Sequence, residues 1–122
     1  MREIKILVVD DDMGICQSLG DILEAKGYQV DIALDGFQAI GKVKEKDFDV
    51  ILLDIKMPGI NGVETFRRIK KISLKPRVIM ITAYAVEDLI REAHDEGVYK
   101  VLRKPLEMER VIGLIEAAVG GE

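Results

Sequence analysis

The chain has no tryptophan, one cysteine, one histidine and three prolines. A lone cysteine permits no intrachain disulfide, which suits a reducing compartment, and Cys16 is expected to be a small buried or half-buried side chain. His94 has no metal-ligand or nucleophile partner at helical spacing and is expected to be passive. Long apolar runs are missing: no stretch approaches bilayer length. No secretory pattern is expected, because Met1-Arg2-Glu3 leads into a short apolar run that stops at three aspartates. Basic runs are missing as well, and the formal net charge is −4. Both argue against direct nucleic-acid binding, which needs a basic face. Repeats, low-complexity tracts and internal linkers are not found.

What is present fits a soluble globular protein. The 122 residues are 48% hydrophobic and 33% charged, enough for a real core and for one domain spanning 1–122. The expectation is a cytoplasmic protein with no membrane association and no effector domain in this chain.

Short apolar runs alternate with longer amphipathic stretches. Strands are predicted at Ile4 to Val9, Tyr28 to Ala33, Phe48 to Leu53 (ending at Asp54), Arg77 to Ile81 (ending at Thr82) and Val98 to Leu102. Between and after them, helical spacing places Ile15, Leu19, Ile22 and Leu23 on the inner face of a first helix, closed by Lys26-Gly27. Ala39, Ile40 and Val43 face inward on a second helix capped by Asp35. Val63, Phe66 and Ile69 do so on a third, where Asn61 and Glu64 stand in capping-box register. The fourth helix, near Val86 to Asp95, is expected to bury Val86, Leu89, Ile90 and Ala93; the fifth turns Val111, Ile112, Ile115 and Val119 inward. Five βα units predict an α/β, doubly wound five-stranded parallel sheet with five helices. Strands one, three and four are nearly continuous apolar runs, as central parallel strands should be. Strand two carries Gln29 and Asp31 and strand five carries Lys100, so these are edges. The order 2-1-3-4-5 follows, with a ligand-binding switch point between strands one and three.

Just past the strand ends lie Asp10, Asp11 and Asp12, then Asp54, then Thr82, then Lys104. Strands one and three are neighbours, so Asp10, Asp11 and Asp54 converge. Several carboxylates in one pocket must be protonated or neutralised by a cation. An all-oxygen site with no His or Cys suits Mg2+. An aspartate can attack phosphorus to give an acyl phosphate, a lysine can pair with the phosphoryl group, and a hydroxyl can donate to it. Every group that phosphoryl transfer to a carboxylate requires is present. Asp12 fits the helix-cap role better than that of a ligand, and Pro58-Gly59 is a turn.

These fragments carry a resemblance. Val8-Val9-Asp10-Asp11, Leu52-Leu53-Asp54-Ile55-Lys56-Met57-Pro58-Gly59-Ile60-Asn61-Gly62, Ile81-Thr82-Ala83 and Lys104-Pro105 occur in order, each at a strand end. Each is weak alone; together they are specific, and the chain resembles a flavodoxin-like receiver domain of bacterial two-component response regulators over essentially its whole length. The resemblance implies that Asp54 is the phosphoacceptor. It implies that Mg2+ is held by Asp11 directly, by Asp10 through water, and by Asp54 and the main-chain carbonyl of Lys56. It makes Thr82 the switch hydroxyl and Lys104 the phosphate-pairing lysine, aimed by a cis bond to Pro105. Lys56 and Tyr84 hold positions that tune self-dephosphorylation in similar domains, and together they also resemble the single-domain regulator of the sporulation phosphorelay. Val101 departs from the family, which often has Tyr or Phe there, moving with the switch hydroxyl. The implied partners are a sensor histidine kinase or phosphotransfer protein, and a downstream protein reached through helix four, strand five and helix five, with Arg91, Lys100, Arg110 and Leu114 on that surface. A homodimer through helices four and five is a further expectation. The chain is expected to be a phosphoacceptor switch and no true enzyme, with at most slow self-phosphorylation and self-dephosphorylation. A phosphoaspartate phosphatase typically carries Asp-x-Asp after a strand, and here Lys56 holds the second position. A receiver fold used only for binding usually loses the acceptor or metal acids, and none is lost.

Overall fold

The computed structural model describes residues 3–83 and 86–120. Five strands, β1 (Lys5–Val9), β2 (Gln29–Ala33), β3 (Val50–Asp54), β4 (Arg77–Thr82) and β5 (Lys100–Arg103), alternate with five helices, α1 (Met13–Ala25), α2 (Gly36–Glu45), α3 (Gly62–Ile72), α4 (Glu87–Asp95) and α5 (Met108–Val119). All strand pairings are parallel, and the sheet order is β2-β1-β3-β4-β5. Val8 pairs with Leu52, and Leu52 pairs with Ile79.

Alternate strand residues build two cores, because successive side chains point to opposite faces of a strand. Leu7, Val9, Ile51, Leu53, Val78 and Met80 pack under α2, α3 and α4. Ile6, Val8, Val50, Leu52, Ile79, Ile81 and Leu102 pack under α1 and α5. The central strand β3 is buried along its whole length, whereas β2 and β5 carry exposed residues as edges do.

Local chemistry sets the helix starts. Asp12, Asp35 and Asn61 each cap a helix by accepting the backbone N–H three residues on, from Ile15, Gln38 and Glu64, satisfying donors that the helix cannot. Helix α1 stops at Lys26, and Gly27 takes φ +96, a left-handed geometry that glycine adopts without steric cost. Asp31 on edge strand β2 is held by Lys46 at 2.9 Å. Among the described residues, no helix is long and apolar enough to cross a membrane.

The structure corrects the predicted inner faces in two places. Ile22 is 40% exposed; it borders a groove between α1 and the segment leading into α5 instead of filling the core. Of the four residues expected to be buried on the fourth helix, Ala93 alone is, while Val86, Leu89 and Ile90 are half-buried. The short edge strand β5 is itself half-exposed and offers α4 too little surface to cover them. Strand boundaries differ from the predicted ones by one or two residues at most ends, as fraying ends do.

The exposure difference predicts unequal costs. Leu52→Ala, at a fully buried position in β3, should cost about 2–5 kcal/mol. Ile22→Ala should cost less than about 1 kcal/mol. Urea unfolding with an unchanged m-value checks both.

Candidate functional site

Parallel strands deliver their carboxyl ends to one edge of the sheet, so the residues just past β1, β3, β4 and β5 meet there. Asp10 follows β1, Asp54 ends β3, Thr82 ends β4, and Lys104 follows β5. Carboxylate oxygens of Asp10, Asp11 and Asp54 lie within 4.8 Å of one another. They line a cleft of about 470 Å³ together with Asp12, Ile15, Lys56, Met57, Pro58, Ala83 and Lys104.

Each side chain is held from several directions. The backbone N–H of Asp12 donates to Asp10 Oδ1 at 2.9 Å, and the Lys104 ammonium donates to Asp10 Oδ2 at 2.8 Å. The same ammonium lies 3.8 Å from Asp54 Oδ2. Cys16 Sγ donates to the Asp10 carbonyl at 3.3 Å. The backbone of Lys104 is fixed by its N–H to the Thr82 carbonyl at 2.8 Å, and that of Ile55 by its N–H to the Ile81 carbonyl at 2.9 Å. The Lys104-Pro105 peptide bond is cis, as expected. The loop after β3 turns at Gly59 with φ +82. Gly62 then packs so tightly that a Cβ there would lie 2.5 Å from the Asp54 carbonyl oxygen and 2.8 Å from Ile55 Cα. Any larger residue would push α3 away from the end of β3.

Crowding of like charge shows in the protonation equilibria. Burial, and next the neighbouring Asp10 carboxylate, push the Asp54 carboxyl up to about 6, against the opposing pull of Lys104 and of the Lys56 backbone N–H. Burial works against the charged form of Lys104, but its hydrogen bond to Asp10 and the carboxylates of Asp54, Asp10 and Asp11 outweigh that, and its pKa is raised. Burial and the nearby Asp10 push the Cys16 thiol up to about 11, which keeps it a protonated hydrogen-bond donor.

The cluster matches the donor chemistry of a hard divalent cation. It offers three carboxylates, no sulfur and no imidazole, and a carboxyl group with a raised pKa whose ionised form a cation would favour. Asp11 is exposed on the open side, while both oxygens of buried Asp10 already accept hydrogen bonds.

The positions singled out in the sequence divide as follows. Asp10, Asp11, Asp54, Lys56 and Lys104 border the cleft. Thr82 is 1% exposed; it sits at the strand end beside the cleft, whose wall there is Ala83. Val101 is half-buried under α4 and also borders a separate cavity of about 290 Å³ with Pro105. Tyr84 lies outside the described residues. His94 is exposed on α4. Sequence reading missed two supports, the Cys16 thiol and the Asp12 N–H on Asp10. The aspartate triplet and a cysteine one helical turn beyond it were the only available signals.

Comparison with known proteins bears on the fold and its family. The family model described as the response regulator receiver domain matches residues 6–116. The sporulation initiation phosphotransferase F of Bacillus subtilis is 38% identical over 111 residues, covering 91% of this chain and 90% of that protein. The transcriptional regulatory protein ZraR of Klebsiella oxytoca is 40% identical over 110 residues, 90% of this chain; the match spans only 25% of that longer protein. A chain in the crystal structure of the CheX–CheY–BeF3–Mg2+ complex of Borrelia burgdorferi superposes with a TM-score of 0.87 at 29% identity, covering 95% of this chain and 89% of that one. By its family model, its relatives and its five parallel strands in receiver order, the chain belongs to the response regulator receiver domains of two-component signal transduction.

Proposed function

We propose that Asp54 is the residue this receiver phosphorylates, and that Mg2+ is held beside it by Asp10, Asp11, Asp54 and the main-chain carbonyl of Lys56. The observation that carries the reading is the convergence of the three carboxylates within 4.8 Å of one another, with the Lys104 ammonium already among them. When bound, Mg2+ would neutralise the carboxylates and offset negative charge on the phosphoryl oxygens.

The chain's own residues perform the remaining steps. An Asp54 carboxylate oxygen forms the new O–P bond as the P–N bond of a donor phosphohistidine breaks. The electron pair stays on the imidazole nitrogen, which takes a proton from solvent. Lys104, poised between Asp10 and Asp54, pairs with the arriving phosphoryl group as a point charge. The Thr82 hydroxyl donates to a phosphoryl oxygen, and drawing it toward the cleft biases the backbone leading into α4. Slow self-dephosphorylation, tuned by Lys56 and Tyr84, resets the switch.

The donor is a histidine kinase or phosphotransfer protein, and its docking face adjoins the acid cleft. A groove of about 550 Å³ runs between α1 and the start of α5, lined by Ile15, Leu19, Ile22, Pro105, Leu106 and Met108. It shares Asp12, Ile15 and Lys104 with the acid cleft, so a partner seated there brings its histidine to Asp54. The output lies on α4, β5 and α5, where Arg91, Lys100 and Arg110 are exposed and Leu114 is half-buried. A cytoplasmic location belongs to the same reading.

Three outcomes are expected. Acetyl phosphate with Mg2+ should add one labile phosphoryl mass to the wild type and none to Asp54→Asn or to protein in EDTA; intact-mass spectrometry decides, and an adduct surviving Asp54→Asn would refute the assignment. Ile22→Ala should slow labelling by a phosphorylated histidine phosphotransfer protein about fivefold, the size of a modest interface contact, while labelling by acetyl phosphate stays at the wild-type rate.

The third concerns pH. Because folding raises the Asp54 pKa from 3.8 to about 6, the native state holds that proton more tightly than the unfolded chain. Its stability contribution is complete below pH 3.8 and is lost as pH rises through 6. In EDTA, Asp54→Asn should therefore match the wild type near pH 4 and exceed it by roughly 2–3 kcal/mol above pH 7. Mg2+ should narrow that gap by stabilising the wild type alone. Denaturant melts at the two pH values measure it.

A further inference from the structure

Helix α4 is lightly seated. Its only fully buried side chain is Ala93, and its start at Val86 has no side-chain cap, as is true of α5 and unlike α1, α2 and α3. Charge holds it instead. From α3, Arg67 Nε donates to Glu96 Oε2 at 2.8 Å and Arg67 Nη2 to Glu92 Oε2 at 3.0 Å. Lys70 Nζ donates to Glu96 Oε1 and to the Glu96 carbonyl, both at 2.7 Å. That carbonyl belongs to the residue closing α4, so Lys70 also meets the negative end of the helix dipole. At the other end, Arg103 Nη2 reaches Glu87 Oε1 at 2.9 Å.

We propose that Arg67 is a positioning residue, the centre of an ionic latch through which α3 fixes the resting place of α4 and so sets how readily the acid cleft adopts its phosphorylated-like state. The proposal rests on the reading of Asp54 as phosphoacceptor. Arg67 touches neither the cleft nor the expected ligand; it acts through Glu92 and Glu96. Three features make the latch suited to regulation rather than to stability. It is one guanidinium shared by three carboxylates, Glu64 included at 3.5 Å. It spans two helices, unlike the Arg68–Glu64 pair within α3. And it is solvent-accessible, with Arg67 38% exposed, so it is screened by salt and contributes little to global unfolding. Among the described residues, its other restraints are the partly buried packing of Val86, Leu89 and Ile90 on the core and the ion pairs named above, so even a weak latch biases its position. Its start lies a few residues beyond Thr82, so the chain itself joins it to the strand end at the cleft.

Linkage makes the effect reciprocal: if the cleft and α4 share one equilibrium, releasing α4 must tighten binding of a phosphoryl mimic at the cleft. The test compares wild type, Arg67→Met, Glu96→Gln and the control Arg68→Met in two readouts. The first is hydrogen exchange of α4 amides without ligand. Both latch variants should exchange faster there by about three- to fivefold, the range open to exposed ion pairs. Exchange in β1 and β3 and the global urea midpoint should be unchanged, and Arg68→Met should behave as wild type. Raising salt to about 0.5 M should speed α4 exchange in the wild type, and do so less in Arg67→Met, which keeps only the Lys70–Glu96 and Arg103–Glu87 ties. The second readout is beryllofluoride affinity in Mg2+, expected to rise by the same factor in the latch variants only. Unchanged α4 exchange in Arg67→Met, equal effects from Arg68→Met, or faster exchange without tighter beryllofluoride binding would each overturn the latch. Failure of the wild type itself to bind beryllofluoride would instead overturn the reading of Asp54, and the exchange readout would still judge whether Arg67 holds α4.

Discussion

Three carboxylates held within 4.8 Å of one another at one sheet edge are the constraint to which the rest of this molecule answers. Like charges in a half-desolvated cleft repel, and the protein relieves the repulsion incompletely. Lys104 reaches in from the far side of the sheet to bond Asp10 at 2.8 Å, yet it stands 3.8 Å from Asp54. Burial first, and then the Asp10 carboxylate, hold the Asp54 carboxyl up at about 6. A residual deficit of positive charge is what a cation site requires, since a fully neutralised cluster would gain nothing from a metal.

The scaffold exists to impose that crowding. Parallel pairing fixes the register so that Val9 lies opposite Leu53, and the next residue along each strand is an aspartate. The aliphatic strands on either side leave β1 and β3 no freedom to splay apart, since both are buried on two faces. Gly62 permits α3 to start directly against the end of β3, and the Asp12 cap ties the start of α1 to the same corner. Stability is concentrated in the sheet centre, while the groove at Ile22 and the half-covered α4 are left weakly held. This distribution leaves a rigid site beside more loosely held surfaces.

Much of this was legible in the sequence because its period and punctuation are local properties. Continuous apolar runs marked β1, β3 and β4 as central, Gln29, Asp31 and Lys100 marked the edges, and strand order then placed Asp10 beside Asp54. The three side-chain caps were likewise legible, each depending on residues three apart. What stayed hidden depends on packing between distant segments. Ile22 satisfies helical spacing for the core, yet it faces a gap beside Leu106 and Met108 that no periodicity reports. The half-burial of Leu89 and Ile90 follows from how little surface β5 offers. The Arg67–Glu96 contact joins residues 29 apart, and the one from Cys16 to the Asp10 carbonyl is set by how α1 leaves the strand.

Val101 sharpens the mechanical question. Where the family often places an aromatic ring that moves with the switch hydroxyl, this chain has a short branched side chain packed beneath α4 and bordering an open cavity. A ring in that position can transmit a displacement by occupying one of two places; valine has too little reach to do so. On the proposed reading, a signal from Thr82 travels along the chain and through the contacts that α4 makes with its neighbours. Those contacts are few in apolar area and rich in charge, with Glu92 and Glu96 tied to α3 and Glu87 tied to Arg103. Arg103 precedes Lys104, the lysine of the acid cleft. The cleft is thus joined to α4 twice, through the segment after Thr82 and through the end of β5, and both routes converge on a helix whose seat depends on exposed ion pairs. If the proposed latch operates, the local ionic environment becomes part of the switch, because screening weakens the ties to α4 while leaving the buried sheet untouched.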